Sequence, residues 1–177
     1  PTGGVGGSNL ALGIDTSLQF FTSLAVDGYY ARTDTPGLAG DPSSYRGAID
    51  YRGDRYGFEL NHMLVGEGFN PEIGFMRRLA FRRTSTMARF SPRPASSRLI
   101  RRLSYELRYD YVTNPAGDIV ENRDLQGSFR ADFNSGDRLT TQYTRNYEFV
   151  PDAFETEGLE VPVGAYRMQD LRVQYVM

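Results

Sequence analysis

The side chains of this chain that could do chemistry are few in kind. There is one histidine, His62, and no cysteine. A structural metal centre needs about four converging ligands, so one imidazole without thiolates is a poor start, and no metal is expected. Cysteine nucleophiles and disulfides are excluded by composition. A Ser-His-Asp triad would have to use His62, and no G-x-S-x-G elbow precedes a helix. Carboxylates are plentiful. Glu106 and Asp110 share one strand face. Nearest neighbours on such a face lie about 7 Å apart, which overlaps the spacing of glycosidase carboxylates, but these two have Arg108 between them and lie about 13–14 Å apart. A face built of ion pairs supplies such carboxylates without catalysis. The run Gly3-Gly4-Val5-Gly6-Gly7 lacks the Lys-Ser/Thr and the helix of a phosphate loop, and reads as a linker or frayed start over residues 1–8. Asp152, Glu155, Glu157 and Glu160 match no EF-hand spacing and read as a solvated loop. No catalytic residue, no cofactor and no enzymatic activity are expected.

The elements that carry these groups are strands. From Leu103 to Tyr111 the odd positions are Leu, Tyr, Leu, Tyr and Tyr, and the even positions are Ser, Glu, Arg and Asp. Successive side chains of a strand point to opposite faces, so this segment has one apolar face and one ionic face. The same alternation runs through Tyr45 to Arg52 and Phe129 to Phe133. Nine strands are expected, at about 9–19, 22–33, 44–52, 55–66, 79–91, 99–112, 119–133, 138–149 and 165–176. Several reach the roughly 9–11 residues of a tilted membrane strand, whereas strands of soluble proteins average about 5–6. No run of about 18 apolar residues offers a transmembrane helix.

Long connections (34–43, 67–78, 150–164) tend to alternate with tight ones, so the long ones gather at one end, as in outer-membrane barrels. A Pro- and Ser-rich link at 91–98 and a short turn at 114–118 blur that alternation. Two hairpins can be set in phase. A two-residue type II′ turn at Gly53-Asp54 pairs Tyr51 with Tyr56. A three-residue loop, Ser135 to Asp137 with Gly136 left-handed, keeps Phe133 and Leu139 on one face. Adjacent Arg82 and Arg83 predict a bulge in the fifth strand. Arg145, on the apolar face, is expected to snorkel to the interface.

Composition bounds the partners. The 177 residues suffice for one domain with a full core. The net charge of −2 argues against nucleic acid. All 20 basic residues are arginine, which suits ion pairs with carboxylates.

The loop GEGFNPEIGFMRR, with FSPRP and later TRNYEF and VPVGAYR, resembles a C-terminal outer-membrane β-barrel domain of unknown function. That domain occurs in proteins with an N-terminal carbohydrate-binding-module-family-9-like domain. The resemblance spans about Leu10 to the end and carries no catalytic residue. It implies a link to glycan handling, although the N-terminal module itself is expected to be missing here.

The resulting expectation is an all-β, antiparallel up-and-down β-barrel of the outer-membrane type over residues 9–177. Nine strands is an odd number, and bacterial barrels have even numbers, so the chain is expected to be part of a larger barrel. The lumen-facing polar residues are expected to be Arg46, Asp50, Glu59, Arg102, Glu106, Arg108, Asp110, Arg130, Asp132 and Arg172, with Arg108 and Arg130 paired to carboxylates. A mouth loop is expected to carry Phe69, Asn70, Glu72, Phe75, Arg77 and Arg78, because a solvated loop does not need Phe69, Ile73, Phe75 and Met76. The function expected is a pore or surface platform in the bacterial outer membrane. Its partners would be outer-membrane lipid and a small solute or glycan. The alternative is a soluble antiparallel barrel or sandwich serving as a ligand- or carbohydrate-binding module.

Overall fold

The computed structural model describes residues 8–72, 78–156 and 158–177. Among these residues the chain is all-β. Eight consecutive strands form the main sheet: β1 (Leu10–Phe20), β2 (Leu24–Asp34), β3 (Ser43–Arg52), β4 (Tyr56–Val65), β5 (Phe81–Phe90), β6 (Ile100–Thr113), β7 (Val120–Phe133) and β8 (Arg138–Val150). A small hairpin follows, β9 (Phe154–Thr156) and β10 (Leu159–Val161), and then β11 (Gly164–Val176) completes the sheet. The order β1-β2-β3-β4-β5-β6-β7-β8-β11 is purely up-and-down, and every pair is antiparallel.

Among the described residues the sheet is open: β1 and β11 are its two edges and do not pair with each other, so these nine strands alone do not form a closed barrel.

The alternation read in the sequence sets the faces. The row Tyr56–Phe90–Tyr105–Phe129 runs across four strands, with ring centroids 5.2, 6.3 and 5.2 Å apart. Such cross-strand aromatic pairs are the side-chain contacts that stabilise a sheet. None of the described elements covers this apolar face. Leu107 is 52% exposed and Leu171 is 65% exposed. The ionic face is the sheltered one, down to an Asp132 side chain only 2% exposed.

The apolar face is not square to the sheet. The hydrogen-bonded row through Leu171 leads by Tyr143, Gly127, Leu107, Ala88, Phe58, Tyr51 and Leu24 to Phe20. On β11 the apolar residues stop at Leu171, and Gln169 and Arg167 follow. On β1 they continue ten residues beyond Phe20, to Leu10, interrupted on that face by Thr16. The border therefore drifts ten residues in eight strand-to-strand steps. At about 3.4 Å per residue and about 4.8 Å between strands, that is a slope of about 40°.

The turns differ from expectation in register but not in face. Arg52 pairs with Gly57 and Tyr51 with Phe58, so the β3–β4 connection is longer than a two-residue turn. Gly53 does not take a positive φ, so no type II′ turn forms. Gly136 is left-handed, at φ 104°, in a three-residue reversal shifted by one residue, with the Phe133 N–H donating to Asp137 O at 2.9 Å. The predicted bulge in the fifth strand is absent. The register shifts lie instead in the β6–β7 pair, at Ile100/Arg102 and Val112/Thr113.

Candidate functional site: the charged face and its mouth

Strand alternation and the pairing register put Arg46, Asp50, Glu59, Arg102, Glu106, Arg108, Asp110, Arg130, Asp132 and Arg172 on one face. Their partners are local. Arg102 and Arg138 both reach the carboxylate of Asp132, at 3.1 and 2.8 Å. Arg108 holds Glu106 two residues away at 2.6 Å, and Arg52 holds Asp50. Asp110 takes two guanidinium nitrogens of Arg83, at 2.9 and 2.7 Å. Arg46 donates to the Asn61 amide oxygen at 3.1 Å. One expected pairing is not made: among the described residues no carboxylate lies within ion-pair distance of Arg130, which stands between Ser104 and Thr140. Arg172 likewise makes no ion pair there, and pairs across the strands with Gln142.

These side chains enclose a cavity of about 400 Å³ on the inner face. Glu59, Asn61, Arg83, Arg108, Asp110 and Asp124, from β4 to β7, line it. Asp124 stands directly opposite Asp110, and one of its oxygens is buried without a hydrogen-bond partner. The cavity thus mixes carboxylates of β4, β6 and β7 with the guanidiniums of Arg83 and Arg108, both of which are already ion-paired. No group of three His, Cys, Asp or Glu side chains among the described residues converges to hold a metal.

The mouth is built where the long connections gather. One end of the sheet carries 35–42, 66–80, 114–119 and 151–163, and the other carries the tight reversals at 21–23, 53–55 and 134–137, with 91–99 the exception. Gly66 to Asn70 folds over the inner face at the top of β2 to β4. Phe69 is buried there. The Asn70 N–H donates to Thr33 Oγ1 at 2.9 Å, and the Gly68 N–H to Asp41 O at 2.9 Å. Asn9 donates from its side-chain amide to Asn70 O at 2.9 Å. The path demands glycine at its first step: a Cβ at Gly66 would sit 2.1 Å from Asp41 O. Glu72 follows Asn70 in a turn, and Arg78 makes an ion pair with Glu121 of β7. Phe75 and Arg77, with Ile73 and Met76, lie outside the described residues.

Several contributors escaped the sequence reading. Arg83 supplies an ion pair, and Thr33 and Ser44 are buried polar residues under the mouth loop. Parity carried one residue past Thr84 would have placed Arg83 on the inner face. The buried hydroxyls leave no such trace. The acidic segment forms the β9–β10 hairpin, in which Glu155 pairs opposite Glu160. His62 faces outward beside Tyr45 and hydrogen-bonds Thr84 at 2.8 Å, a structural placement. Compared with protein-family models, curated proteins and solved structures, the chain matches none.

Proposed function

We propose that this chain is a wall segment of an outer-membrane β-barrel. In this reading it turns its apolar face to lipid and its charged face to a water-filled lumen. It acts as a pore or surface platform, and its cargo is a small polar solute or a glycan. The observation that carries the reading is the oblique apolar band. A membrane is a slab, so its hydrocarbon layer cuts the rows of a barrel at the strand tilt. The slope of about 40° found here lies within the roughly 35–45° tilt of transmembrane barrels. A soluble sandwich has no reason to drift its apolar face in this way.

Four further observations support it. The strands of the main sheet run 10–14 residues, enough to cross about 25–30 Å of hydrocarbon at that tilt. The exposed face is the apolar one. The stacked Tyr56 and Phe90 lie at the tight-turn ends of β4 and β5, where an interfacial girdle places its aromatics. The Gly66–Asn70 segment narrows the lumenal mouth. Strands pairing with β1 and β11 complete the circumference.

The test, on the protein that contains this chain together with the strands completing the barrel, is membrane fractionation with detergent extraction, joined to the heat-modifiable gel mobility of folded barrels. Extraction only by detergent, with a mobility shift on boiling, is the expected result. A chain that stays in the soluble fraction without that shift refutes the reading and favours the binding-module alternative.

A further inference from the structure

Where the apolar band ends toward the long connections, the outward face turns basic. The border carries Arg32 on β2, Arg82 on β5, Arg123 on β7, Arg145 on β8 and Arg167 on β11. It falls with the band: the row of Arg145 leads back to Val26, and Arg32 stands six residues beyond Val26. On three adjacent strands the guanidiniums converge. Arg123, Arg145 and Arg167 surround a recess of about 340 Å³ with Tyr109, Leu125 and Tyr147. The Arg123 guanidinium lies 5.4 Å from the centroid of the Tyr147 ring. Among the described residues no carboxylate comes within 4.0 Å of these three groups. Glu121, two residues before Arg123 on β7, is taken by Arg78.

Three arginines without a carboxylate partner, one of them against an aromatic ring, at the rim of an apolar surface, have a specific chemical complement. It is an anion with several oxygens, attached to a hydrocarbon tail. Arg forks bind phosphate oxygens bidentately, and their weak hydration suits an interface. We propose that this recess is a headgroup site for a phosphorylated lipid. The phosphate sits among Arg123, Arg145 and Arg167, and the acyl chains run down the apolar face past Leu125 and Tyr143. The proposal rests on the membrane reading above, and it adds that the long-connection end lies at a phosphate-bearing leaflet surface.

The chain has no tryptophan, so Tyr143→Trp places a single fluorescent reporter one row inside the recess. The protein carrying it, including the strands that complete the barrel, is inserted into phosphatidylcholine vesicles with spin-labelled phosphatidic acid or spin-labelled phosphatidylcholine as quencher. Basic residues at an anionic surface are worth about fivefold each in lipid partition. The acidic lipid should therefore quench with at least about a tenfold preference, which weakens in high salt. The triple variant Arg123→Gln, Arg145→Gln, Arg167→Gln should abolish the preference while the gel mobility shift persists. Equal quenching by both lipids in an inserted chain overturns the site, as does a preference untouched by the triple variant. Complete competition by millimolar inorganic phosphate also overturns it, by assigning the recess to a soluble anion. A chain that fails to insert overturns the membrane reading and this site with it.

Discussion

The inner face is most sharply tested at Asp132. Its side chain is 2% exposed and is held by Arg102 and Arg138, which are themselves 36% and 49% exposed. The three groups are therefore unequal. If Asp132 is removed, both guanidiniums can turn to water. If both arginines are removed, the carboxylate has nowhere to go. Asp132→Ala loses two charge-assisted hydrogen bonds, nominally about 1.5–3 kcal/mol each. Solvent screening of two half-exposed partners reduces that to about 2 kcal/mol in all. Arg102→Met or Arg138→Met alone should cost about 1 kcal/mol, because the other arginine keeps the charge paired. The double variant leaves an uncompensated buried charge and should cost about 3–5 kcal/mol. The double cost then exceeds the sum of the singles by more than 1 kcal/mol. Adding Asp132→Leu to the double variant should recover most of the loss. The measurement is urea unfolding of the detergent-folded chain, followed by tyrosine fluorescence and by gel mobility. Additivity of the two single variants within about 0.5 kcal/mol, or no rescue by leucine, would refute the idea that shelter of this carboxylate controls the ledger.

Three further outcomes are expected. Leu107 lies midway along the apolar run of β6, so Leu107→Arg should cost about 2–4 kcal/mol of insertion free energy. A nitroxide at the same position should report lipid, and a water-accessible label there would contradict the outward placement. Gly66→Ala should displace the mouth loop, given the 2.1 Å approach to Asp41 O. Amide exchange at Gly68 and Asn70 should then speed up and conductance should rise with strand protection unchanged; unaltered exchange would show that the loop is held some other way. In the β3–β4 turn, the hydrogen bond and charge of Arg93 hold the Asp54 carboxyl below its ordinary 3.8. That contribution is complete above the unfolded value and is lost as pH falls below it through the folded pKa. In Arg93→Gln the carboxyl titration followed by NMR should move back up toward 3.8, and an unmoved midpoint would dismiss the pairing.

The alternation of Leu103 to Tyr111 was enough to fix both faces, because a pleat has a strict period of two. The nine strands of the main sheet and most of their ends were legible for the same reason, whereas the short β9–β10 hairpin was read as a solvated loop. Closure was not legible, since alternation is a local property and the pairing of first and last strands is not. Turn register was only half legible. Parity constrained Tyr51 and Phe133 to the outer face but allowed slips of two residues, and the actual β3–β4 and β7–β8 reversals used that freedom. At the site, the ten inner-face residues followed from parity. Their partners did not, because an arginine can reach along its own strand, as Arg108 does to Glu106, or across it, as Arg102 does to Asp132. The seating of Phe69 over Thr33 depends on backbone carbonyls of the 39–41 segment, for which side-chain types give no signal.

The two edge strands have a consequence for how such a protein is made. β1 is 11 residues long and β11 is 13, and on each the outward N–H and C=O of every second residue lack a strand partner. That is roughly ten polar backbone groups per edge, each costing several kcal/mol in hydrocarbon. If the chain is the barrel wall proposed above, a half-inserted sheet sits at the top of a barrier of tens of kcal/mol, and its biogenesis must keep both margins matched to donors and acceptors, in water or along a templating strand, until the seam is sewn. The same margins, once joined, make the reverse journey equally steep, so the finished wall should persist for kinetic reasons long after its equilibrium stability has become modest.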